Sequence, residues 1–102
     1  MRIVIIEDEV NAYEYLQKSI LKIESSANIV AHLESVEESV NWFHQNPSVD
    51  LIFLDIQLSD GLSFEIFNHV DITAPIIFTT AYDHYAIDAF KVNSIDLSLI
   101  HI

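Results

Sequence analysis

The sequence predicts an α/β domain built on a doubly wound, parallel, five-stranded sheet. Three observations carry this. Short continuous apolar runs at residues 2–6, 29–33, 51–54 and 76–79 close on polar or turn residues. That is the pattern of strands buried on both faces. Between the runs, apolar residues recur at steps of three and four, the pattern of amphipathic helices. Strand and helix therefore alternate, which predicts helices on both faces and right-handed crossovers.

In order, residues 2–6 form a strand that runs straight into Glu7, Asp8 and Glu9. Residues 9–23 read as a helix with Val10, Tyr13, Leu16, Ile20 and Ile23 on one face. A polar break, 25–28, precedes a second strand, 29–33. His32 in that strand reads as an edge or internally satisfied histidine, because no partner stands at ligand spacing. Ser35 and Glu38 make an S-x-x-E capping box. It opens a helix with Val36, Val40 and Phe43 inward, ending near Pro47. Trp42 is expected as a partly buried flank and His44 at the surface. Residues 51–54 are the third strand, with Asp55 at its end and a polar turn at 57–61. Residues 62–70 read as a short third helix with Leu62, Ile66, Phe67 and Val70 inward. Pro75 introduces a fourth strand, 76–79, with Thr80 at its carboxyl end. Residues 82–91 look helical, with Asp83 a possible cap and Ala86, Ala89 and Phe90 inward. Residues 94–102 supply a fifth strand, and the chain stops where a fifth helix would begin.

Composition narrows the function. The chain has 102 residues, 51% of them hydrophobic, so one domain with a real core is expected. Sixteen acidic residues face four Lys and Arg, a formal charge of -12. A nucleic-acid surface needs a basic face that four cations cannot supply, and anionic membrane is disfavoured for the same reason. With no cysteine, disulfides and thiolate metal sites are excluded. The apolar run at the N-terminus is too short for a signal peptide, and no stretch approaches the roughly 20 apolar residues of a membrane span. A cytoplasmic location is expected. Gly61 is the one glycine, which excludes a Walker A loop and a dinucleotide fingerprint.

The chemistry concentrates at two strand ends. In open parallel sheets, working residues sit just past the carboxyl ends of strands. If strands one and three are neighbours, about 4.8 Å apart, Glu7, Asp8 and Asp55 converge on one point. Clustered carboxylates repel and raise each other's pKa. A hard divalent cation such as Mg2+ resolves this, since it takes one or two carboxylates plus water and phosphate oxygens. Asp55 is then a candidate nucleophile that forms an acyl phosphate. Its plain alternative is a turn or cap residue. Thr80 can donate its hydroxyl to a phosphoryl oxygen, or it is an ordinary β-branched strand residue.

With these residues in place, the chain resembles a response-regulator receiver domain of two-component signalling. Glu7-Asp8 matches the family's acidic pair after strand one, and Asp55 its phosphoacceptor at the end of strand three. Gln57 matches the position whose main-chain carbonyl binds Mg2+, and Thr80-Ala81 the Thr/Ser-Ala pair ending strand four. Residues 76–96, IIFTTAYDHYAIDAFKVNSID, are similar to receivers of the LytTR type (LytR/AlgR-like). The resemblance implies a flavodoxin-like sheet in the order 2-1-3-4-5, and one receiver domain over residues 1–102 that is incomplete at its C-terminal end. It further implies Mg2+, a sensor histidine kinase as phosphoryl donor, and a transcriptional output domain outside this chain. The domain is expected to be a signalling module, at most catalysing its own phosphoryl transfer and hydrolysis.

The chain departs from the family pattern in three places. Ser59 replaces the usual proline, and Gly61 comes early, as in a shortened loop. After residue 96 the usual aromatic position holds Leu97, and the usual lysine position holds Ile100. His101, adjacent to it, points to the opposite face in a strand and is a poor substitute. No fifth helix follows. An alternative reading is therefore a receiver-like interaction module that no longer takes phosphate. A remoter alternative is a Mg2+-dependent aspartyl phosphohydrolase, which lacks support because Gln57 stands where a D-x-D motif needs its second Asp. Without a fifth helix, apolar side chains from strands one, four and five are expected to lose cover, and strand five is a sheet edge. Self-association is expected to follow.

Overall fold

The alternating pattern resolves, in a computed structural model, into one five-stranded sheet flanked by helices. Residues 1–46, 48–80 and 97–101 are described, with Thr80 and 97–101 placed through their backbone. The order along the chain is β1 (Arg2–Ile6), α1 (Val10–Ile23), β2 (Asn28–Leu33), α2 (Val36–Gln45) and β3 (Leu51–Asp55). It continues with β4 (Gln57–Leu58), β5 (Gly61–Leu62), a 3₁₀ helix (Ser63–Asn68), β6 (Ile76–Thr80) and β7 (Leu97–His101). The large sheet runs β2-β1-β3-β6-β7, and every pair is parallel. Leaving out the two-residue strands β4 and β5, this is the expected 2-1-3-4-5. The expected helix at 82–91 lies outside the described residues.

β1 and β3 lie inside the sheet, and their uninterrupted apolar residues, 3–6 and 51–54, suit burial on both faces. Alternate side chains serve opposite faces. Val4, Ile6, Ile52 and Leu54 join Phe43 and Ile66 on the face covered by α2 and the 3₁₀ helix. Ile3, Ile5 and Phe53 pack with Leu16 and Ile20 of α1 on the other. Each fully buried aliphatic side chain contributes roughly 1.5–3 kcal/mol. β1 is thus pinned from both sides. The Arg2 amide donates to the Asp50 carboxylate at 2.6 Å, and the Asp50 amide donates to the Arg2 carbonyl at 2.9 Å. That exchange locks a register in which Ile6 faces Leu54, so the two carboxyl ends finish level.

Four expectations need correction. The inward face of α1 is shorter than its apolar pattern: Val10 is 55% exposed and Ile23 86%. The 14-residue helix is about 21 Å long. A five-residue strand spans only about 17 Å. Its two ends therefore overhang the sheet. The polar turn at 57–61 is part of an antiparallel β4–β5 hairpin, in which Gln57 pairs with Leu62 and Leu58 with Gly61. Gly61 takes φ +148, a conformation side chains rarely tolerate. The third α-helix expected at 62–70 is a six-residue 3₁₀ helix. Pairing in the hairpin removes Leu62 from it, and the short remainder cannot repay α-helix nucleation. Leu62 accordingly stays outside, 36% exposed, while Ile66 is buried. Finally, strand one does not lose cover on the α1 face, where Ile3 and Ile5 are buried; Ile77 of β6, on the same face, is only partly buried, and the side chains of β7 lie outside the described residues.

The remaining elements follow their sequence signals. Trp42 is half-buried and His44 exposed. Ser35 accepts from the Glu38 amide at 3.0 Å, as the capping box predicts. Glu38 closes the box one residue early, on the Glu34 amide at 3.0 Å.

Candidate metal centre

Glu7 and Asp8 leave the end of β1, and Asp55 ends the adjacent β3. One carboxylate oxygen from each lies within 4.8 Å of the others. The three residues read from sequence as one cluster therefore do converge. Glu7 is only 6% exposed. Its amide donates to the Leu33 carbonyl at 2.9 Å, and its Oε2 accepts from the Glu9 amide at 3.3 Å.

Burial pushes the Glu7 carboxyl up to about 8, and the negative charge of Asp55 adds to the rise. Burial also raises Asp55, and Asp8 raises it further. The Glu7 contact and the amides of Ile56 and Gln57 oppose that rise at Asp55. At neutral pH without a cation, a proton held between Glu7 and Asp55 does the neutralising. The site thus has more anionic oxygen than it can leave uncompensated. Its donors are all hard carboxylate oxygens, with no thiolate or imidazole among the three, so they fit Mg2+ and not a soft metal.

His32 belongs to the edge strand β2, and its environment bears out the satisfied-histidine reading. Its Nε2 bonds the Glu7 main-chain carbonyl at 2.8 Å. A carbonyl only accepts, so Nε2 carries the proton. The ring stacks on Tyr13 with centroids 3.6 Å apart. Together they hold the backbone of the acidic pair. Sequence reasoning found both residues and missed their link, because nothing in a linear pattern joins position 13 to 32.

Gln57 starts β4, two residues past Asp55, and its amide donates to the Asp55 carboxylate. Thr80 is the last residue of β6; its backbone follows Thr79, which pairs with Asp55, and is itself in register with His101. Ile100 pairs with Thr79, so Asp55, Thr79 and Ile100 share one row across three strands.

Asp60 was absent from the sequence reading of the site. From the hairpin turn, its two oxygens accept the Val36 amide at 2.8 Å and the Glu37 amide at 3.1 Å. These bonds hold its carboxyl below the usual carboxylate range. The loop that leaves the candidate nucleophile is thereby tied to the start of α2.

Residues 3–97 match the family described as the response regulator receiver domain. The chain belongs to that family. Among curated relatives, the sensory transduction protein LytT of Bacillus anthracis is 35% identical over 102 residues, covering 97% of this chain and 41% of the relative. LytR of Streptococcus agalactiae is 33% identical, covering 94% of this chain and 40% of the relative. The receiver domain thus spans about two-fifths of the length of the curated relatives it matches. The response regulatory domain of mrkE from Klebsiella pneumoniae superposes with a TM-score of 0.71 at 30% identity, covering 97% of this chain and 82% of that one. The response regulator PhyR from Brucella abortus, TM-score 0.74 at 23% identity over 94% of this chain and 40% of that chain, shares the fold. Among the described residues, no helix of this receiver is long and apolar enough to cross a membrane.

Proposed function

We propose that Asp55 is the phosphoacceptor of a two-component switch occupying the whole of residues 1–102. A carboxylate oxygen of Asp55 attacks the phosphorus of a phosphohistidine on a sensor histidine kinase. The N–P bond breaks, its electron pair returns to the imidazole, and an acyl phosphate forms. Asp8 and Asp55 hold Mg2+ directly, the Gln57 main-chain carbonyl completes the protein ligands, and Glu7 supports them. Bound there, Mg2+ neutralises charge on the phosphoryl oxygens. The Thr80 hydroxyl donates to one of those oxygens. The buried β1 and β3 ends keep the nucleophile fixed and partly dry, which strengthens every electrostatic contact.

One observation carries this reading: three carboxylates within 4.8 Å of one another at the carboxyl ends of neighbouring central strands. In a longer protein the switch drives a transcriptional output domain, in the cytoplasm. Self-association accompanies it, through the β7 edge and the adjoining apolar face rather than through β1, whose apolar side chains are covered; sedimentation at moderate salt reads it. The principal test is incubation with acetyl phosphate and Mg2+, followed by intact mass. One added phosphoryl group is expected, lost in Asp55→Asn.

The shared row of Asp55, Thr79 and Ile100 favours a second reading. The family's lysine position holds an aliphatic side chain, so the charge that would pair with the phosphoryl group is missing. A receiver that acts only through its surface would show no adduct at any donor concentration.

A further inference from the structure

A groove of about 580 Å³ opens between the first half of α2 and the hairpin with its 3₁₀ helix. Its volume is in the range of ordinary ligand sites, and the phosphoryl chemistry makes no use of it. Val36, Val40 and Leu62 supply its apolar surface, and Leu62 is 36% exposed. Glu37 and Glu65, both exposed, stand on its rim with Asp60. The Asp60 carboxylate is already engaged with two amides, so Glu37 and Glu65 are the charges the groove presents outward.

Among the described residues that line the groove there is no Lys or Arg, and His69 is the one basic side chain. Between Lys22 and Lys91 the sequence contains no Lys or Arg at all. α2, the hairpin and the 3₁₀ helix all fall inside that stretch. An occupant must therefore bring apolar side chains and positive charge together. Phosphate, nucleic acid and anionic lipid bring the wrong sign. An acidic second copy, at -12, does as well.

We propose that this groove is a docking surface for a short segment of a partner protein that carries apolar side chains flanked by Lys or Arg. Apolar contact to Leu62, Val36 and Val40 supplies the attraction that salt does not screen. Ion pairs to Glu37 and Glu65 set orientation and reject acidic segments.

The test uses the full chain, isotope-labelled, titrated with three synthetic amphipathic peptides of identical leucine spacing whose other positions are Lys, Gln or Glu. The Lys peptide should bind with saturable chemical-shift changes centred on Val36, Val40, Leu62 and Glu65. The Glu peptide should not bind. Glu37→Gln with Glu65→Gln should weaken the Lys peptide roughly fivefold, the sum of two exposed ion pairs. Leu62→Ala should weaken both the Lys and the Gln peptides. All three positions altered are exposed, and matching thermal melts confirm that the variants fold. Lys-peptide shifts spread evenly over the acidic surface would overturn the proposal, as would unchanged affinity in the variants. Concentration-dependent shifts of the same resonances without peptide would assign the groove to a second copy instead, and sink it equally.

Discussion

Replacing Asp60 by Ala removes a carboxylate that reaches the Val36 and Glu37 amides at 2.8 and 3.1 Å. The Glu38 amide keeps its Ser35 partner, so α2 loses two of three satisfied donors at its start. Losing a side-chain cap costs about 1 kcal/mol, within a span of roughly 0.5–2. Loss of negative charge at a helix N-terminus adds roughly 0.3–1 kcal/mol, at the low end here because the turn is exposed and solvent-screened. The freed amides can reach water, so no burial penalty is added. The sum is about 1–2 kcal/mol, a fall in Tm on the order of 5–10 °C for a domain of this size. Asp60→Asn keeps an acceptor and should lose about half as much. The bonds to Val36 and Glu37 depress the Asp60 carboxyl below its ordinary 3.8. Its contribution is therefore fully present above pH 4 or so and lost as pH falls through the lowered folded value. Thermal melts of wild type and variant should differ at neutral pH and converge in acid. Equal melting at neutral pH would refute the capping account. A gap that persists unchanged once the folded carboxyl has been protonated in acid would show that the charge contributes nothing.

Two further outcomes concern the acidic cluster. Asp8→Asn and Asp55→Asn should each weaken Mg2+ binding at least tenfold, on the scale of losing one hard anionic ligand; isothermal titration showing equal affinity for wild type and both variants would remove the site. Glu7, raised from 4.5 to about 8, stabilises the metal-free fold fully below 4.5 and progressively less as pH rises to 8. Melts in chelator should fall across that window, and Glu7→Gln should flatten the slope; a flat wild-type profile would show that the proton is not held there.

The parts legible in the sequence were those written in local pattern. β1 and β3 are continuous apolar runs ending in acid, and a parallel sheet necessarily brings such ends together. The Ser35–Glu38 box is likewise a short-range signal, and Ser35 behaves as its spacing says. What escaped notice depends on tertiary pairing. The apolar residues at 62–70 fit a helical face, yet Leu62 is claimed by Gln57 across the hairpin before the helix can start. Asp60 reads as a turn residue because its partners lie 24 and 23 positions away. Val10 and Ile23 continue the α1 stripe in sequence but overrun the sheet that would bury them. Periodicity gives a face its direction and says nothing about where the opposing surface stops.

The Asp60 tether also bears on how this loop can change over evolutionary time. Surface connections usually accept inserted and deleted residues freely. Here Asp55 is fixed by the sheet and Asp60 by the start of α2, with four residues strung between two anchors. One residue more or fewer would carry the carboxylate away from both amides, or drag Ile56 and Gln57 from the Asp55 oxygens. The loop is thus held to a length as a strand is held to a register. Side chains at its exposed positions are free to vary while their number is not.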